Sequence, residues 1–264
     1  MIDGALPYLR CPNCGQPLHR REQALRCPRG HSFDLAKQGY ADLSAGRLPH
    51  TGDTAEMVAD RETFLAAGHY DFIADALAAE VPSGFLIDAG VGTGFYLSRA
   101  LGETSSGVGL DVSKPALRRA ARVHPRAAAV LTDLWRPLPI VDGAASAVLN
   151  VFAPRNGAEF RRVLRPDGVL LVVTPTAEHL RELITSYGMI GVDPDKDQRV
   201  RDSLGDYFRL KDAITLEKQM NLSAAETRTL IGMTPSAHHG AAAPDGDVTV
   251  TAAVQISTYR RKSD

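Results

Sequence analysis

Three glycines at alternate positions, directly behind an apolar run, constrain this chain more than any other feature: Ile87-Asp88-Ala89-Gly90-Val91-Gly92-Thr93-Gly94. Glycine lets a backbone turn sharply and approach a ligand with no Cβ in the way, and a helix starting just beyond points its free amides at that ligand. The segment therefore reads as strand, tight turn, helix. Further β-like runs at Phe85 to Asp88, Gly107 to Asp111, Ala128 to Asp133, Ala147 to Phe152 and Val169 to Thr174 alternate with helical segments starting near Gly94, Ser113, Asn156 and Thr176. This alternation predicts an α/β fold, a doubly wound parallel sheet covered on both faces, with ligands at the carboxyl ends of its strands. Alternation from Val248 to Ile256 adds a long strand of antiparallel type.

The same spacing excludes two nucleotide sites. A dinucleotide fingerprint needs G-x-G-x-x-G, and Phe95 or Leu97 stands where its last glycine belongs. A P-loop needs G-x-x-x-x-G-K-[ST], which does not occur.

All three cysteines fall within the first 27 residues, in the pattern C-x2-C-x12-C-x3-H formed by Cys11, Cys14, Cys27 and His31. Two short-spaced pairs on Pro- and Gly-bearing turns are what a closed, structural Cys3His zinc site requires. The competing reading is three buried cysteines and an unrelated histidine. Arg10, Arg20, Arg21, Arg26 and Arg29 surround this module against only Asp3, Glu22 and Asp34, a mildly basic knuckle that can touch phosphates or simply be solvated. The whole chain is near neutral, with 30 Lys plus Arg against 31 Asp plus Glu, so no global field draws it to nucleic acid. No apolar run approaches a membrane span and the start carries no secretory segment, so the expectation is a cytoplasmic protein without membrane or DNA partners.

Between these regions, Gly39 to Gly52 reads as a loop. Asp53 with Glu56 resembles a capping box opening a helix through Met57, Val58, Phe64 and Leu65. A second helical stripe runs over Phe72, Ile73, Ala76 and Leu77 to Pro82-Ser83-Gly84, and on spacing alone His69 and Tyr70 are packing residues. The chain thus divides into a zinc-binding module at 1–46, a helical bridge at 47–84 and a catalytic domain at 85–264.

A strand, D-x-G-x-G-x-G, then an acid ending the next strand resembles the Rossmann-like class I S-adenosylmethionine (SAM) methyltransferases. In that layout Asp111 accepts from both ribose hydroxyls and Asp133, ending the third strand, from the adenine amino group. Asp88, Gly90, Gly92 and Gly94 belong to the cofactor loop. Asn150-Val151-Phe152-Ala153-Pro154-Arg155-Asn156 lies where such enzymes bring substrate and methyl donor together.

More specifically, the Cys3His knuckle, F-D-x-A-x-x-G-Y at Phe33 to Tyr40, D-T-A-E-M at Asp53 to Met57 and A-G-H-Y at Ala67 to Tyr70 are similar to the 23S ribosomal RNA (guanine-N1)-methyltransferases. L-N-V-F-A-P-R-N at Leu149 to Asn156, D-V-S-K-P-A at Asp111 to Ala116 and V-V-T-P at Val172 to Pro175 resemble the tylosin-resistance branch of that family. The resemblance spans nearly the full chain outside Val192 to Lys218 and the last residues, and departs from the family loop in the alanine between Asp88 and Gly90. It implies SAM-dependent methylation of N1 of a guanosine in a 23S rRNA domain II hairpin loop near the peptide exit tunnel, linked to macrolide resistance. It also implies cofactor contacts from Tyr70, the Gly92-Thr93 pair and His179, and a homodimer. Methylation requires the N1 proton to leave, so Arg155 is the candidate donor to guanine O6 and Asn150 the candidate orienter of the base edge, with no residue singled out as general base. Two alternatives stay open: a SAM-dependent methyltransferase of a small metabolite, and a non-catalytic RNA-binding protein.

Overall fold

The cysteine knuckles fold first along the chain. In a computed structural model describing residues 2–193, 195–236 and 244–263, a short helix α1 (Ile2–Ala5) leads into an antiparallel ribbon of β1 (His19–Arg21), β2 (Ala24–Arg26) and β3 (Ser32–Asp34). Next come β4 (Ala41–Asp42), α2 (Ala55–Ala66) and α3 (Asp71–Glu80). Strand and helix then alternate through β5 (Phe85–Ala89), α4 (Phe95–Ala100), β6 (Ser106–Asp111), α5 (Lys114–Val123), β7 (Ala127–Leu131), β8 (Ala145–Val151), α6 (Gly157–Val163) and β9 (Leu164–Pro175). The chain continues with α7 (Arg181–Tyr187), α8 (Lys196–Leu204), β10 (Phe208–Leu222), α9 (Ala224–Gly232) and β11 (Val248–Arg261).

Eight strands form one sheet in the order β10-β11-β9-β8-β5-β6-β7-β4. From β9 to β4 all neighbours are parallel, whereas β11 runs antiparallel to both β9 and β10. β5, β7 and β8 are buried at every residue, as strands covered on both faces must be. Successive side chains of β5 serve opposite cores: Leu86 packs with Phe64, Ile73, Leu117 and Leu183 on one face, while Phe85 and Ile87 pack with Leu9, Leu25, Phe160 and Leu204 on the other. The direction of winding reverses between β6 and β8 on either side of β5, the switch point where a crevice opens in such sheets.

The connection 132–144 between β7 and β8 contains no helix. Its sheet face is covered instead by the N-terminal residues: Leu9 bridges to Ile140, the Arg10 amide donates to Pro139 O at 3.0 Å and the Val141 amide to Tyr8 O at 2.9 Å. Tyr8 stacks on Phe85 with ring centroids 3.9 Å apart. The ribbon is thereby packed into the main core.

Several boundaries differ from the sequence reading. Thr54, not Asp53, caps α2, its hydroxyl accepting from the Met57 amide at 3.3 Å. β7 stops at Leu131, so Asp133 stands in the loop beyond it. β9 begins at Leu164, ahead of the expected Val169, and takes in Pro166-Asp167-Gly168, where the ladder to β8 jumps from Ala145↔Leu164 to Ala147↔Val169. The helix expected near Thr176 begins at Arg181, because the Leu180 amide is drawn to Thr251 O of β11 at 2.7 Å. β10, largely in the loosely patterned stretch, is an edge strand exposed along most of its length; its alternation of Phe208, Leu210, Ile214, Leu216, Met220 and Leu222 with polar residues was a legible strand signal that the sequence reading passed over.

At Gly94, φ is +88° and an added Cβ would lie 2.7 Å from Val123 Cγ1 and 3.1 Å from Ala120 Cα. Gly94→Ala is expected to lower stability by about 1–3 kcal/mol, the usual range for overpacking and a forced left-handed residue. Urea denaturation measures this, and an unchanged midpoint would mean that α5 gives way freely.

Candidate active site and metal centre

The carboxyl ends of β5, β6, β7 and β8 open into one cavity of about 730 Å³. Of the residues expected to meet the cofactor, Tyr70, Gly90, Gly92, Thr93, Asp111, Asp133 and His179 line it, although they come from elements up to 109 positions apart. Gly94 and Asp88 lie behind the lining. Gly94 seats the loop on α5, while Asp88 is 1% exposed beneath it, near the Leu97 amide of α4 and with no side-chain partner among the described residues.

Gly90 shows why the loop needs glycine: at φ +90° an added Cβ would strike Ala153 Cβ at 2.4 Å, jamming β5's turn against the loop after β8. Asp111 steadies the turn from the other side, Oδ2 accepting from the Gly92 amide at 2.9 Å and Oδ1 from the Ser113 amide at 2.8 Å. Each oxygen keeps a second lone pair, the acceptor pair that a ribose diol's two hydroxyls require. Burial, with Asp53 adding to it, raises the Asp111 carboxyl above its ordinary value despite those two amides. Asp88 is pushed up to about 7, first by burial and then by the nearby Asp111 charge, against the Leu97 backbone amide. Asp133 is 2% exposed and accepts from the Trp135 amide at 3.0 Å and pairs with His50 Nδ1 at 2.9 Å.

His179 and Tyr70 form a wired pair. The Ala253 amide of β11 donates to His179 Nδ1 at 3.1 Å, which places the ring proton on Nε2, 3.4 Å from Tyr70 Oη. Burial lowers His179 to about 4 and raises the Tyr70 phenol, so both are neutral near pH 7. With His179 donating, the Tyr70 hydroxyl proton is available to an acceptor in the cavity.

Asn150 and Arg155 are not brought into the lining. Asn150 is fully buried and its Nδ2 donates to Ala89 O at 3.1 Å and Pro154 O at 2.8 Å, stapling the β8 loop to β5. Arg155 folds back on Ala153 O at 3.3 Å and is depressed by burial. The wall positions they were expected to supply belong to Phe152, Ala153 and Pro154. Sequence reasoning missed His50, Asp53, Arg61, Trp135 and Phe152, which all line the cavity. Only the D-T-A-E-M and L-N-V-F-A-P-R-N resemblances, which contain Asp53 and Phe152, signalled any of these as more than loop or helix surface.

At the N-terminus, Cys11, Cys14, Cys27 and His31 bring their ligand atoms within 4.8 Å of one another. His31 Nδ1 lies 3.5 Å from Cys11 Sγ and 3.3 Å from Cys27 Sγ, and the Cys14 and Cys27 sulfurs are 3.7 Å apart. Bonds of about 2.3 Å to a tetrahedral zinc imply sulfur separations of about 3.8 Å, so the donor set fits that ion. Gly15 at φ +71° and Gly30 at φ +85° supply the left-handed residues that close the two knuckles.

The fold and cavity have solved counterparts. The YcgJ protein of Bacillus subtilis superposes with a TM-score of 0.51 at 14% identity, covering 74% of this chain and all of that one. A Bacillus halodurans protein provisionally titled a methyltransferase reaches 0.50 at 15% identity, over 72% of this chain and 99% of its own. The chain is a class I, SAM-dependent methyltransferase with an N-terminal zinc ribbon; the family described as RlmA, N-terminal, matches residues 9–45. A Micromonospora griseorubida protein provisionally named 23S rRNA (guanine-N(1)-)-methyltransferase is 52% identical, covering 97% of this chain and 98% of the relative. The 23S rRNA (guanine(748)-N(1))-methyltransferase of Streptomyces fradiae is 43% identical over 90% of this chain and 89% of its own. The chain belongs to the 23S rRNA (guanine-N1)-methyltransferase family.

Two outcomes follow from this geometry. Zinc removal by a strong chelator is expected to unfold the ribbon and, because Leu9, Leu25 and Phe33 share a core with Ile87 and Val130, to lower the midpoint of the whole protein. Calorimetry with and without chelator reads this, and an unchanged main transition would show the ribbon to be energetically separate. Asp88, raised from about 4 unfolded to about 7 folded, binds more protons in the folded state over that interval. Its contribution therefore erodes stability as pH rises from 4 to 7, and Asp88→Asn should gain on the parent as pH is raised from 5 to 8. A pH-independent difference between the two in urea melts would refute a buried carboxyl raised in the folded state.

Proposed function

We propose that this enzyme methylates N1 of a guanosine in 23S rRNA, within a domain II hairpin loop near the peptide exit tunnel, as a modification of the macrolide-resistance type. The observation that carries the reading is a pair of exposed aromatic rings on the cavity wall. Trp135, the chain's one tryptophan, is 57% exposed and Phe152 is 41% exposed. Phe152 also sits at φ +52°, a costly conformation for a bulky residue, held by its amide bonding to Val173 O at 3.1 Å. Exposed rings held at a cofactor cavity suit an unstacked nucleobase, and a hairpin-loop guanine is extruded at least cost.

Bound SAM supplies a methyl group already activated on a sulfonium. The chain's own residues then do the positioning. Asp111 takes the ribose hydroxyls, Asp133 the adenine amino group, the Gly90 to Gly92 turn accepts close approach, and Tyr70, oriented by His179, donates its hydroxyl proton into the cavity. Phe152 and Trp135 stack the guanine and exclude water from the line of transfer. The four cysteine and histidine side chains hold structural zinc. Arg21, Arg26 and Arg29 of the ribbon are exposed, whereas Arg20 and Arg10 are paired to Asp3 and Asp142 at 2.6 and 3.1 Å. The unpaired three are the phosphate contacts of this reading. On this scheme 1–46 holds RNA, 47–84 covers the cofactor and 85–264 carries the chemistry, with two copies pairing their clefts over one RNA. An rRNA substrate places the enzyme with the ribosomes in the cytoplasm, and no helix among the described residues is long and apolar enough to cross a membrane.

Incubation with tritiated SAM and large-subunit RNA lacking the modification, followed by reverse transcription, tests the reading. One stop at a domain II loop guanosine is expected, absent with Asp111→Ala and weakened at least about tenfold with Phe152→Ala. No transfer to naked RNA or to particles, despite SAM binding, would overturn the ribosomal substrate and favour a small-molecule one.

A further inference from the structure

SAM carries a zwitterionic amino-acid end, and its carboxylate needs a cation. Arg61 is the only Arg or Lys among the described residues lining the cavity, against four aspartates, Asp53, Asp111, Asp133 and Asp193. It projects from α2 over the glycine turn, where an added Cβ on Gly92 would lie 3.5 Å from its Nη1. Its guanidinium is tied on two sides, Nη1 to Asp53 Oδ2 at 2.5 Å and Nη2 to Met233 O at 2.8 Å, with the side chain 29% exposed. A guanidinium has five N–H donors in a fixed plane, so these two ties leave donors for a carboxylate. The charge is felt at Asp111, whose carboxyl it lowers, so Arg61 stands beside the ribose end of the site.

We infer that Arg61 binds the carboxylate of the cofactor's methionine moiety, and that Asp53 is a positioning residue holding the guanidinium over Gly92. The aspartate-rich walls suit the cofactor's ammonium and sulfonium. Arg61 gives the cavity its polarity, fixing which end of the molecule lies over the turn and thereby where the methyl group points. This rests on the cofactor being SAM, and goes beyond the contacts already assigned by adding a charge-reading residue from the helical bridge.

Calorimetric titration with SAM and with its decarboxylated analogue, S-adenosyl-3-methylthiopropylamine, tests it without turnover. The parent should prefer SAM by about tenfold or more, as loss of one charge-assisted contact implies. Arg61→Gln should weaken SAM by about that factor while leaving the analogue's affinity nearly unchanged, and Arg61→Lys should recover part of the preference. Equal weakening of both ligands by Arg61→Gln would make Arg61 a structural tie and overturn the inference, as would no weakening of either. Should Arg61→Gln fail to fold, Arg61→Lys carries the test: its single-point charge should narrow the preference for SAM while leaving the analogue's affinity nearly unchanged, and an unchanged preference or equal weakening of both ligands overturns the assignment. A parent that binds neither compound would instead refute the cofactor itself.

Discussion

The close approach of the glycine turn to its neighbours is the constraint on which the site depends. Gly90 lies against Ala153, Gly94 against α5, and Gly92 donates its amide to Asp111. Those three contacts draw the ends of β5, β6 and β8 together, leaving a crevice where the sheet's winding reverses. A single methyl group on Gly90 or Gly94 would meet backbone-anchored atoms, so the turn tolerates no side chain there. The same closeness leaves Asp88 buried with no side-chain partner among the described residues, a locally unfavourable arrangement of the kind found at functional sites.

The zinc ribbon is structurally continuous with that crevice. It covers the sheet face left bare by the helix-free connection after β7, and the same connection carries Asp133 and Trp135 to the cavity. The loop that leaves β4 returns across the strand ends, where His50 meets Asp133 and Asp53 meets Arg61. Metal binding at the knuckles therefore supports the module from which this loop departs. The basic knuckle and the cofactor cavity thus belong to one packed body, as the proposed joint action on one nucleotide requires.

Much of the site was legible because its residues carry local signatures. Spacing alone identified Cys11, Cys14, Cys27 and His31, and alternation with terminal acids identified the turn and Asp111. Tyr70 and His179 were different: spacing made Tyr70 a packing residue and gave His179 no role, and only resemblance pointed to them. The structure gives the physical reason, a hydrogen-bond chain from Ala253 through His179 to Tyr70 that joins three distant elements. Asn150 and Arg155 were read from their loop, yet the loop's own geometry turns Asn150 inward as a staple and folds Arg155 back. Phe152 takes the exposed position between them.

What the sequence determined by itself was everything set by local pattern: the α/β class, the strand-turn-helix at the cofactor loop, the Cys3His knuckles and the kinship to a methyltransferase family. Tertiary structure alone decided which side chains face the cavity, that β4 closes one edge of the sheet while the ribbon covers one face, and that β10 pairs with β11 at the other edge. Periodicity and short motifs report a residue's immediate backbone. A cavity wall is assembled from residues far apart in sequence, and burial, pairing and charge at such a wall follow from packing that no short window contains.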